Sequence, residues 1–145
     1  MFDIEYYISN NSLSNVESLS ETDLWYKFLP GGIKLITENK EVNMLWDWIP
    51  LFDFALRLKE ISVMFSNQAE LTKVFEFTES EETLKFIKHS NSVQIVPSFC
   101  PAILDLSLVE FLAAINTFYN SLKEFILKNI VDKKISVVLE RYLLD

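Results

Sequence analysis

Residues 73–99 read KVFEFTESEETLKFIKHSNSVQIVPSF, a stretch with the periodicity of an antiparallel meander. Apolar and polar residues alternate over 73–78, again over 83–88, and again over 93–99. The polar clusters Glu79-Ser80-Glu81 and Ser90-Asn91-Ser92 separate the runs. A period of two sends one set of side chains to a core and the other to water, so these are half-buried strands joined by tight turns. Pro97 removes a ladder donor, which places the end of the third run at an edge or a bulge.

The same signal recurs upstream. Phe2, Ile4, Tyr6 and Ile8 alternate with Asp3, Glu5 and Tyr7 and predict a first strand. Residues 9–22 are polar and rich in Ser and Asn, and read as a loop with one short turn around Val16. Residues 24–29 are the next strand candidate, Pro30-Gly31-Gly32 reads as a turn, and residues 33–37 return. Glu38-Asn39-Lys40 is a second turn before a strand over 41–46.

Each meander is followed by a helical period. Pro50 suits a helix start, since proline is tolerated at the first helical position. Leu51, Phe54, Ala55, Leu58, Ile61 and Phe65 then follow at helical spacing, with Asp53 and Arg57 four apart on the other side. This helix is expected to end near Ser66 or Asn67. Ser107 and Glu110 form a capping box for a long helix. Its stripe is Leu108, Phe111, Leu112, Ile115, Phe118, Tyr119, Leu122 and Ile126, and a further short helix is expected over 131–144. The two meander-then-helix halves carry no repeat of useful period. The expected fold is α+β in a single domain over 1–145: an antiparallel sheet of about six strands, with two amphipathic helices packed on one side.

Composition bounds the chemistry. The chain has 145 residues, 21 acidic and 13 basic side chains, and a net charge of −8. Half of it is apolar, enough to bury a core without staples. One cysteine excludes an internal disulfide framework. Nucleic-acid binding needs a basic stripe, and none is present. An anionic membrane surface is disfavoured for the same reason. No run is apolar and long enough to span a membrane, and MFDIEYYIS lacks the basic start and apolar run of a secretory signal, so a cytoplasmic protein is expected.

Few catalytic constellations are available. His89, the one histidine, falls in a polar turn, where solvation is the ordinary state. Cys100 is best read as a small core hydrophobe, with a Cys100–His89 dyad as the sharper alternative. Glu79, Glu81 and Glu82 lack the glycine of a calcium loop and read as a solvated charge run. Pro30-Gly31-Gly32 precedes a strand, not a helix, so it is no phosphate cradle. Trp46-Asp47-Trp48 suits either a sugar platform or an anchor for the helix start, and the anchor is the simpler role. No catalytic, cofactor-binding or metal-binding residue is expected.

An interaction surface is the better candidate. No basic residue precedes Lys27, whereas Asp3, Glu5, Glu17, Glu21 and Asp23 all do. The outer face of the first strand shows Asp3, Glu5 and Tyr7, and a second acidic group is Glu76, Glu79, Glu81 and Glu82. Acids interleaved with aromatics such as Tyr7 and Trp25 suit a basic partner, because aromatics are common interface anchors. The ordinary alternative is a plain acidic surface.

WDWIPLFDFAL over 46–56, followed by FEFTESEE over 75–82 and the long helix over 109–128, resembles a pattern of small bacterial proteins. In shape and charge the chain is similar to the immunity proteins of interbacterial toxin systems, including contact-dependent growth inhibition. That resemblance implies a small acidic inhibitor that binds a toxin domain, often a nuclease with a basic cleft. Such families share no catalytic signature, so it assigns no functional residue. The expected function is toxin neutralisation by protein–protein contact. The alternatives are a ligand-binding or hydrolytic domain with a pocket between the sheet and the C-terminal helix, or a structural subunit.

Overall fold

The computed structural model describes residues 1–9, 17–130 and 135–143. These form β1 (Phe2–Ile8), α1 (Glu21–Tyr26), β2 (Pro30–Thr37), β3 (Glu41–Pro50), α2 (Leu51–Asn67), β4 (Glu70–Glu76), β5 (Thr83–His89), β6 (Ser92–Pro97), β7 (Leu104–Ser107), α3 (Leu108–Asn129) and α4 (Val137–Leu143). The class is α+β. The strands make two antiparallel sheets, β1-β2-β3 and β4-β5-β6-β7, where a single sheet of about six strands was expected. Each meander runs straight into a helix: Pro50 ends β3 and Leu51 starts α2, while Ser107 ends β7 and Leu108 starts α3. Because α2 carries the chain away from β3, β4 starts a second ladder.

The ends of α2 are satisfied by residues far away in sequence. Pro50 offers α2 no side-chain cap, and the Leu51 amide donates instead to the Leu29 carbonyl at 3.1 Å. At the other end Lys88, a buried lysine from β5, donates from Nζ to the carbonyls of Phe65 and Gln68. A cation there complements both the orphan carbonyls and the helix dipole. The Ser107–Glu110 capping box forms as expected at the start of α3.

Both sheets lean on α3. Phe118 meets Tyr6 of β1 at 5.4 Å and Phe54 of α2 at 6.2 Å between ring centroids. Two turns nearer the start of α3 and on the same face, Phe111 meets Phe86 of β5 at 5.8 Å and Phe65 of α2 at 5.6 Å. Ile115 and Phe118 are buried, as expected, whereas Leu112 is only half-buried at the margin of the core.

Three further expectations change. Residues 24–29 are not a strand: Glu21–Tyr26 is a helix, started by a capping box between Ser20 and Asp23. The short side chain of Asp23 performs the role that Glu plays in the commoner motif. Leu104–Ser107 is a strand, too short for its alternation to be read. Pro30-Gly31-Gly32 is not a turn but the start of β2, and neither glycine has a positive φ. The glycines supply room. A Cβ on Gly31 would stand 2.0 Å from the Tyr7 carbonyl oxygen, and one on Gly32 would stand 2.4 Å from Tyr7 Cε1. Of the expected loop over 9–22, residues 10–16 lie outside the described residues, as do 131–134 and 144 of the expected last helix.

Gly31→Ala is therefore expected to be costly although alanine is compatible with the backbone angles. The obstacle is the paired strand itself, so the loss should reach the upper end of the roughly 1–3 kcal/mol typical of overpacking. Urea unfolding of the variant checks this. A loss below about 0.5 kcal/mol would show that β1 and β2 are not packed this closely.

Candidate functional site: an acidic aromatic cleft

β3 does not keep register with β2 to its end. Ile33 pairs with Met44 and Gly31 with Ile49, so Gly32 alone faces Leu45, Trp46, Asp47 and Trp48. Such a bulge bends a strand and re-aims its side chains. Asp47 has φ 70°, in the left-handed region that aspartate tolerates better than most residues. Ser9 Oγ donates to the Asp47 carbonyl at 2.6 Å, and the Leu45 amide donates to Asn43 Oδ1 at 3.0 Å. The bulge is thus held from the end of β1 and from within β3.

Its product is a stacked pair of indoles. The Trp46 and Trp48 centroids are 5.5 Å apart with 14° between the ring planes. Trp46 receives Phe77 at 5.2 Å and Phe99 at 4.8 Å, both edge-on, and Trp48 receives Phe77 at 6.1 Å. Phe77 is buried, while both tryptophans are half-buried. The pair therefore has its foot in the core and lines an open cleft of about 780 Å³. Glu41 and Asn43 of β3 line the same cleft, with Glu79, Ser80 and Glu82 from the β4–β5 turn and residues 99–102 from the loop before β7.

Among the described residues, the charged ones lining this cleft are all carboxylates. Lys34 neutralises Glu41 in part, at 3.6 Å. Glu82 accepts a hydrogen bond from Ser98 Oγ at 2.7 Å, and its amide donates to Ser80 Oγ at 3.0 Å, so the turn is fixed. Among the described residues, neither Glu79 nor Glu82 has a cationic partner.

The strand register leads from the first acidic group read from the sequence toward the cleft that part of the second group lines. Asp3, Glu5 and Tyr7 are exposed in alternation along β1. Asp3 pairs with Ile36, which pairs with Glu41; Glu5 pairs with Lys34, which pairs with Asn43. Cross-strand partners share a face, so this row runs over the first sheet to the rim of the cleft. Tyr7 lies against bare Gly32. Glu81 is exposed next to Glu82. Glu76 and Trp25 go elsewhere. Glu76 lines a groove with Tyr26, Arg57 and Lys73, and Trp25 lines another with Asp53, Arg57 and Tyr119. The alternation Trp46-Asp47-Trp48 was the available signal that both rings share a face.

His89 and Cys100 are not brought together. His89 pairs with Ser92 and Leu84 with Pro97, so Cys100 lies beyond the far end of the hairpin, on the order of 15–20 Å away by strand rise. His89 Nδ1 instead meets Glu70 Oε1 at 2.8 Å. Among the described residues no three His, Cys, Asp or Glu side chains gather as metal ligands, and no helix is long and apolar enough to cross a membrane.

One buried acid stands apart. Asp53, in the first turn of α2, is 5% exposed, and burial pushes its carboxyl up from 3.8 to about 6, against the opposing pull of Arg57. Arg57 Nε lies 3.6 Å from Asp53 Oδ1, and nearby Glu60 adds to the upward shift. A carboxyl with a raised folded pKa holds its proton longer when folded than when unfolded. Stability is therefore highest below about pH 4 as far as this group goes, and falls as pH rises toward 6. The penalty above that window is on the order of 2–3 kcal/mol. Asp53→Asn should match the wild type near pH 4, exceed it at pH 7, and lack the decline between. Denaturant unfolding at both pH values checks this, and an identical decline in the variant would refute it.

Compared with family models, with curated proteins and with solved structures, the chain has no significant match.

Proposed function

We propose that this chain is an immunity-type inhibitor that acts in the cytoplasm by binding a basic toxin domain and blocking it. The observation that supports this reading best is the meeting of the Asp3–Glu5 row and the Glu79–Glu82 turn around one aromatic cleft. Excess negative charge steers a basic partner into contact, and half-buried aromatic rings hold it once it arrives. A nuclease cleft, built to bind phosphates, has the complementary charge. A second reading, a ligand-binding or hydrolytic domain, is favoured by Asp53 alone. Its groove brings Trp25, Tyr119 and Tyr142 near that acid but, among the described residues, holds no histidine, cysteine or serine to work with it.

Co-purification with the product of an adjacent toxin gene is the first expected outcome. Glu79→Lys combined with Glu82→Lys should slow association about tenfold at low salt, and Asp3→Lys with Glu5→Lys should act in the same direction. The difference should shrink as salt rises, since exposed charges are screened beyond about 8 Å at physiological ionic strength. Dissociation should change less. If both double variants associate and protect like wild type in stopped-flow and growth assays, the acids are only a solvated surface.

A further inference from the structure

The reading above leaves open what the cleft itself grasps. Its walls combine two requirements that few groups meet together. One wall is a flat, partly uncovered indole pair; the rim is carboxylate. A lysine ammonium uses the charge but has no plane to lay on a ring. A sugar can lie on an indole and donate hydroxyl hydrogen bonds to a carboxylate, but it is neutral and leaves the carboxylate charge unbalanced. The guanidinium of arginine is planar, weakly hydrated and cationic, stacks on aromatic faces, and donates parallel hydrogen bonds to carboxylates.

The stack is also asymmetric. Trp46 is hemmed in by Trp48, Phe77 and Phe99, whereas Trp48 is met only by Trp46 and Phe77 among the described rings. Trp48 is thus the ring left to receive a guest. Glu82 is oriented by Ser98, Glu79 stands exposed on the same turn, and both line the cleft that Trp48 lines. The cleft, at about 780 Å³, has room for a side chain and the peptide on either side of it.

We propose that this cleft seats an arginine side chain of the partner protein, stacked on Trp48 and bonded to Glu79 and Glu82. The proposal rests on the protein-binding reading and adds the chemical identity of the group recognised.

The test is a tryptophan fluorescence titration in a Trp25→Phe background. The probes are N-acetyl-arginine methylamide, its neutral citrulline counterpart and cellotetraose. The expected result is a saturable response to the arginine compound alone, weakened at least about tenfold by Trp48→Ala with the circular dichroism spectrum unchanged. Glu79→Gln with Glu82→Gln should weaken it similarly. An equal response to citrulline, a saturable response to cellotetraose, or an arginine response indifferent to Trp48→Ala would each overturn the proposal. No saturable arginine response would overturn it too. If that occurs while the lysine double variant still slows association with the toxin domain, the arginine seat falls and the protein-binding reading stands. If neither effect appears, both fall.

Discussion

Among the described residues the two sheets share no backbone pairing, and a seam of aromatic rings within the common core joins them. The seam begins at Tyr6 and Phe118, passes through Phe54 to Phe75 and Phe77, and emerges at Trp46, Trp48 and Phe99. Edge-to-face and offset contacts of this kind each add about 0.5–1.5 kcal/mol beyond the area they bury. More important is their continuity. The rings that hold the halves together inside are the ones that surface in the cleft, so the candidate site is the outer end of the core. A site built this way is rigid without needing a loop to order on binding.

Local geometry follows from that constraint. β3 has to satisfy β2 at Met44 and again at Ile49, yet send two indoles sideways to the second sheet. The bulge and the left-handed Asp47 resolve the conflict, and the missing side chain of Gly32 gives Tyr7 the space beside them. A break of a local rule that packing elsewhere supports is the usual mark of a functional position. Asp53 shows the same tension in electrostatic form, a carboxylate kept under the first turn of a helix at a cost in stability.

Much of this was legible in the sequence, for identifiable reasons. The first strand, the two hairpins around Glu79–Glu81 and Ser90–Asn91, and both long helices carry periods long enough to outvote local ambiguity. The segment 24–29 did not: six residues fit a strand or a short amphipathic turn equally, and Ser20 and Asp23 tipped it to helix. Pro30-Gly31-Gly32 looked like a turn because glycine has two uses, conformational freedom and lack of bulk, and sequence alone does not separate them. The partition into two sheets depends on which edges pair, and the cleft depends on a register slip. Neither leaves a periodic trace. Hence the sequence shows Glu79 and Glu82 as acids and Tyr7 as an exposed ring, while Trp46 and Trp48 read more simply as an anchor for the helix start.

In the proposed function, a partner protein docks over the Trp46–Trp48 end of the aromatic seam. The three tryptophans make it directly observable, because each gives one indole N–H signal in a nitrogen–proton correlation spectrum, and Trp25 lies in a different groove as an internal control. On titration with the toxin domain, the account expects the Trp46 and Trp48 signals to shift or broaden while that of Trp25 stays in place. Movement of the Trp25 signal with Trp46 and Trp48 unchanged would contradict it, and would move the interface to the α1–α2 groove.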